Sequence, residues 1–281
     1  MLLSALFFCL MTVFVKLAGE VISTIHIVFF RAVVTLLITI IMIKKIDIQP
    51  FGNNKKLLLL RGVIGSIALF FVYESINRLS LSQATIIQYL YPIFTSILAI
   101  IIISEKFNRT IIYASLVGFF GIYITLGTPS IQDIFGDSFS DLAIALSGSF
   151  LTGLAYVVVR KANNENEHPY VIMFYFPLLT IPMCLPFLIN NWPIINIYTA
   201  VLLIFVGICT QLGQLFLTYG YKYLPASKAA TISYTQVPIA VIFGSIIFKE
   251  PIDISLIIGS LIILFSILLT ISSKNKIVTD A

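Results

Sequence analysis

The residues of this chain able to do chemistry are few, and they interrupt long apolar runs. An ionisable group in hydrocarbon costs about 2.5–3.5 kcal/mol on insertion scales, so each one calls for a reason. Arg31 stands about two turns inside the second apolar run. It reads as a gate or ligand contact, as half of a structural ion pair, or as a cation snorkelling along its own stem. Glu74, near the far end of the third run, is the partner of Arg31, a protonatable coupling group or a surface carboxylate. Lys16 closes the first run and reads as snorkelling.

Uncharged polar residues form stripes. Gln211, Gln214 and Thr218 are spaced i, i+3, i+7 and share a helix face, as do Ser149, Thr152 and Tyr156. Such stripes either join helices by hydrogen bonds or line a wet path. A second group, Gln88, Tyr89, Tyr91, Tyr234, Thr235 and Gln236, flanks Pro92 and Pro238. Proline frees a backbone carbonyl and bends a helix, and such bends border cavities in membrane bundles. The expected ligand-lining set is Gln88, Tyr89, Tyr91, Gln211, Gln214, Tyr234 and Gln236, with Arg31 and Glu74 as gating or coupling groups. Simple aromatic packing is the competing account of the tyrosines.

Hydrolytic, nucleotide-driven and metal chemistry have no motif to stand on. The chain lacks G-x-S-x-G, H-E-x-x-H and G-x-x-x-x-G-K-[ST], so neither a catalytic residue nor a cofactor is expected. Cys9, Cys184 and Cys209 lie in apolar runs without C-x-x-C spacing and read as small buried hydrophobes. His26 and His168 fall at opposite ends of the expected spans, so they cannot share a metal.

The elements that must position these residues follow from composition. Of 281 residues, 59% are hydrophobic and 10% are charged, and the mean hydropathy is +1.05. Lipid must be the solvent for most of such a chain. Continuous apolar runs, not alternating ones, exclude a β-barrel. Ten helical spans are expected near 2–18, 24–43, 57–77, 82–104, 109–127, 141–160, 170–189, 198–219, 227–248 and 253–272. The net charge of +5 is distributed asymmetrically. Lys44, Lys45, Lys55, Lys56, Arg61, Lys106, Arg109, Arg160, Lys161, Lys222, Lys228, Lys274 and Lys276 fall on one side, and Arg78 and Lys249 on the other. Cytoplasmic termini in a bacterial inner (plasma) membrane follow, with Asp133, Asp137 and Asp141 outside. This placement also makes membrane lipid, not nucleic acid, the partner of the basic groups. The first run starts at Met1 without a basic leader, so it is a minimal first helix or the chain begins upstream. Trp192, Tyr170, Tyr198, Tyr221 and Tyr223 at span ends read as interfacial anchors.

The chain also repeats itself. Residues 61–126 and 206–271 align without a gap at a shift of 145, pairing Gly62 with Gly207, Tyr89 with Tyr234 and Glu105 with Glu250. The match continues faintly upstream, so the repeats are expected at 1–127 and 141–281. Five helices per copy is odd, so the second copy is inverted, and the matched glutamates meet opposite waters as structural or gating contacts. The fold class is all-α integral membrane, ten transmembrane helices in two inverted five-helix repeats.

Ala84-Thr85 through Tyr91-Pro92, then Ile101 to Glu105, resembles the repeated signature of the EamA family of the drug/metabolite transporter superfamily. The second copy runs from Ala230-Thr231 to Val237-Pro238 and ends at Phe248-Lys249-Glu250, its proline displaced by one. Phe29-Phe30-Arg31 matches the family's second-helix pattern. The resemblance implies a secondary transporter of a small amino acid-like or drug-like solute, working by alternating access with proton or solute counter-transport. Uptake of a nucleotide-like metabolite such as S-adenosylmethionine is the alternative within transport. A non-transporting scaffold or a lipid-modifying enzyme is the alternative outside it. Departures from the duplication, such as Leu69 against Gln214 and Glu74 against Tyr219, are where specificity is expected.

Overall fold

The structure, a computed structural model, describes residues 1–128, 139–188, 192–193 and 195–273. Asp133, Asp137, Lys274 and Lys276 lie outside the described residues. The chain forms α1 (Leu2–Gly19), α2 (Thr24–Lys45), α3 (Lys55–Arg78), α4 (Leu81–Gln88), α5 (Tyr91–Ile103) and α6 (Arg109–Thr125). It continues with α7 (Phe139–Asn164), α8 (Pro169–Leu188), α9 (Ile197–Tyr223), α10 (Ala226–Ile232), α11 (Gln236–Phe248) and α12 (Ile254–Ser272). Among the described residues, 9 spans are long and apolar enough to cross a bilayer, and α6, with 17 residues, supplies the tenth. This is a multi-pass, all-helical membrane protein.

The fourth and ninth spans are expected as bent helices and are found broken. Pro92, at the start of α5, has no N–H, so the carbonyl of Gln88 loses its helical donor. Ser149 Oγ of α7 donates to that carbonyl at 3.0 Å, and the chain reorganises at Tyr89 and Leu90 between α4 and α5. In the second copy a 3-10 turn, Ser233–Thr235, joins α10 to α11 just before Pro238. These interruptions are stable because they are buried in protein, where side chains restore the missing bonds.

The two copies interlock. α1 packs on α9 as α3 packs on α7, and α2 meets its own repeat mate α8 as α6 meets α12. With lipid outside, close packing and interhelical hydrogen bonds drive such contacts, not hydrophobicity. The α6–α12 contact depends on Gly259: a Cβ there would stand 2.6 Å from Gly121 O. Ser266 Oγ also donates to Ala114 O at 2.6 Å across the same contact. One face of the bundle gathers Met1, the α2–α3 connection, Glu105, Arg160 and Ala226, and is termed here the basic face. The opposite face gathers Lys16, Arg78, Asp141 and Glu250.

Candidate functional site

Tyr89 and Tyr234, matched by the repeat, touch each other. The Tyr234 phenol donates to Tyr89 O at 3.1 Å, and their ring centroids are 6.1 Å apart. A residue in contact with its own repeat mate lies on the pseudo-two-fold axis, so this pair marks the centre of the bundle. A ladder of rings continues from it. Tyr89 faces Tyr91 at 6.3 Å, Tyr91 faces Tyr156 at 5.4 Å, and Tyr156 faces Tyr221 at 5.3 Å. Tyr221 is fully buried and belongs to this ladder, not to an interfacial belt; Tyr198 and Tyr223 are exposed.

The glutamines divide into two kinds. Gln211 is buried and donates from Nε2 to Thr39 Oγ1 of α2 at 2.9 Å, which makes it a helix-joining group. Gln88 is half-buried and donates to Thr152 Oγ1 at 3.3 Å. Gln214 and Gln236 are half-buried, and their side-chain amides make no hydrogen bond among the described residues. Their polar heads remain available to a ligand. The repeat mate of Gln236 is Tyr91, so the two copies present an amide and a phenol at equivalent positions.

Of the readings open for Glu74, the pairing with Arg31 is not formed and the surface carboxylate is what the structure places there. Glu74 is half-exposed and accepts from Arg78 Nε at 2.7 Å, one helical turn away, because that partner is already on its own face. It lines a cavity of about 520 Å³ at the opposite-face ends of α2, α3, α7 and α8, away from the tyrosine ladder. Arg31 is buried, with Nη1 directed at Met11 Sδ at 3.8 Å. Lys16 does more than snorkel: its Nζ bonds Glu250 at 2.7 Å and lies 4.0 Å from the Phe248 ring centroid. Outside the spans, burial and then the charge of Lys222 hold His168 below the ordinary imidazole value. At neutral pH its ring is therefore uncharged beside Tyr170.

The two matched glutamates are built alike and used differently. Ser104 and Lys249, just before them, are both left-handed, with φ of 53° and 54°. Glu105 N–H closes on Ala99 O at 3.1 Å and Glu250 N–H on Gly244 O at 3.2 Å, the same helix-ending turn. Glu105 then reaches across to the other copy. Its carboxylate accepts from Ala226 N–H at 2.7 and 3.0 Å and lies 3.4 Å from Arg160 Nε. Arg160 in turn donates to Tyr221 O and Lys222 O at 2.9 and 2.7 Å. Behind this latch α10 is wedged among α5, α6 and α12, and all of it except Ser227 is buried. Its mate α4 packs on α3 and α7 instead, without a comparable contact to α11 among the described residues. Thus the two copies are joined by buried contacts at the basic face and by exposed ion pairs at the opposite face.

Comparison with known proteins agrees with this architecture. A family model for EamA-like transporters matches residues 1–127 and 140–272. An uncharacterized transporter of Helicobacter pylori is 30% identical over 278 residues, covering 95% of this chain and 92% of its own. The pseudopaline exporter CntI of Pseudomonas aeruginosa is 26% identical, covering 93% and 90%. Human solute carrier family 35 member G1 is 26% identical, covering 89% and 71%. A solved crystal structure superposes with a TM-score of 0.79 over 95% of each chain at 13% identity, a likeness of fold alone. The chain belongs to the EamA-like transporter family.

Proposed function

We propose that this protein is a secondary transporter that moves a small organic solute by alternating access, held here with its basic face closed. The observation that carries the proposal is the unequal use of equal parts. Two repeat-related faces flank one central tyrosine pair, yet among the described residues the Glu105–Ala226 closure has no counterpart at Glu250. Rocking the copies about that pair would exchange the two arrangements, and a solute between them would change sides. The solute lies among Gln88, Tyr89, Tyr91, Gln214, Tyr234 and Gln236, while Gln211 serves as scaffold. Arg31 and Glu74 stand towards the opposite face, where coupling to a proton or counter-solute belongs. The charge asymmetry supports a reading with the basic face and both termini in the cytoplasm of a bacterial inner membrane and the opposite face outward.

An amino acid-like or drug-like solute fits the amide and phenol groups of this central site, and the name of the Pseudomonas relative favours export. Transport in oriented vesicles over a panel of amino acids, nucleotide-like metabolites and cationic drugs, with and without a pH gradient, tests the proposal. One solute class should move, and Gln214→Ala and Tyr89→Ala should each slow it at least about 10-fold with normal membrane insertion. Unchanged kinetics in both variants would remove the site assignment.

A further inference from the structure

Arg61 reads from the sequence as one of the loop charges that fix topology, and the structure corrects this. It lies on α3 about 9 Å from the helix start and is only 3% exposed. A snorkelling arginine there would lean back towards the basic face, the direction its Cβ already takes. The Arg61 side chain runs the other way. Its Nη1 sits against Gly65, one turn deeper, where a Cβ would collide with it. The Phe176 ring of α8 covers the guanidinium, with Cζ 5.0 Å from the centroid. Stacking uses the face of the guanidinium and leaves its N–H edges. Nε and Nη1 are buried and have no hydrogen-bond partner, and no carboxylate among the described residues lies within 4.0 Å.

A buried cation without a partner is a large local cost that the fold does not require, since the repeat mate of Arg61 is the fully buried Val206. Tyr156, the fourth ring of the tyrosine ladder, is an ionisable group within electrostatic reach of it. The unmatched donors therefore stand at the basic-face end of the central site. We infer that Arg61 is the anion-binding residue of this site, taking an oxyanion, a carboxylate or phosphate, of a solute whose apolar body stacks along Tyr156 and Tyr91. The inference rests on the transporter reading above and gives it a substrate class. Guanidinium matches such oxyanions with two parallel hydrogen bonds, and Phe176 holds its plane.

Thermal unfolding of the purified protein with benzoate, phenyl phosphate and the neutral isostere benzamide tests it. Benzoate, phenyl phosphate or both should stabilise the wild type where benzamide does not, and the responding compound identifies the oxyanion. Arg61→Gln should weaken that response roughly 10- to 100-fold. Without ligand the same variant should unfold at no lower temperature, whereas a structural arginine would destabilise on removal. Equal responses to all three compounds in the wild type overturn the inference, as does an undiminished response in Arg61→Gln. Should that variant fail to fold, Arg61→Lys, which keeps the charge and loses the fork, must show a weakened response, and an unweakened one overturns the inference. Failure here with the faces still exchanging removes the anion site alone; failure of both removes the transporter reading.

Discussion

The basic and opposite faces are assembled from repeat-related residues, but their tethers differ in depth. At the basic face Glu105, with 13% of its side chain exposed, holds Ala226 N–H and Arg160. Glu167, 3% exposed, accepts from Asn53 and Asn54 N–H of the α2–α3 connection. At the opposite face the tethers are Lys16–Glu250, 52% and 53% exposed, and Arg78–Asp141, 44% and 20% exposed. Charge-assisted hydrogen bonds shielded from water hold strongly, and solvated pairs contribute roughly 0–1 kcal/mol. The start of α4 also satisfies itself: Ser80 Oγ accepts from Gln83 N–H while Gln83 Oε1 accepts from Ser80 N–H. The start of α10 follows Pro225, which offers no such cap, and depends on Glu105. The difference teaches that closure is written into tertiary partners at one face, while local turns are the same at both.

Four substitutions break or sharpen this contrast. Glu105→Ala should have the largest effect, because it strands Arg160 and Ala226 N–H; about 3 kcal/mol lost from the closed form would open the basic face. Reactivity of a cysteine placed at the buried Ala229 of a cysteine-free protein would report it, rising at least about 10-fold. Glu167→Gln comes next, since weaker acceptance by two backbone N–H groups should cost about 1.5–3 kcal/mol. Protease nicking between Ile48 and Asn54 reads that loosening. Tyr234→Phe deletes one phenol donor at the axis, and a loss of about 1 kcal/mol should appear as a small drop in unfolding temperature. Glu250→Ala should matter least, under about 1 kcal/mol and with little change in Ala229Cys reactivity; an effect as large as that of Glu105→Ala would erase the contrast.

Much of this was legible in the chain. Continuous hydropathy marks the ten spans, Pro92 marks the break in the fourth, and the shift of 145 puts Tyr89 opposite Tyr234. What the sequence withheld is tertiary partnership. Arg61 and Tyr221 sit within two turns of a span end, where a loop charge or an interfacial ring reads the same as a buried one until neighbouring helices are placed. Arg31 and Glu74 are opposite charges on adjacent spans, but Arg78 is nearer to Glu74 than any residue of another helix needs to be. One signal for Arg61 was present: a cation aligned with Val206 is a departure from the duplication of the kind that marks specificity. Glu105 and Glu250 end their helices in the same left-handed turn, and nothing in that turn foretells which one is latched.

Spin-label distances across both faces test the central claim most directly, one pair at Lys106 and Ser227 and another at Ser80 and Lys249, in wild type and Glu105→Ala. The wild type should show a short, narrow distribution at the basic face and a longer one at the opposite face. In the variant the basic-face pair should lengthen as the opposite pair shortens. Distributions at both faces that do not respond to Glu105→Ala would contradict the account.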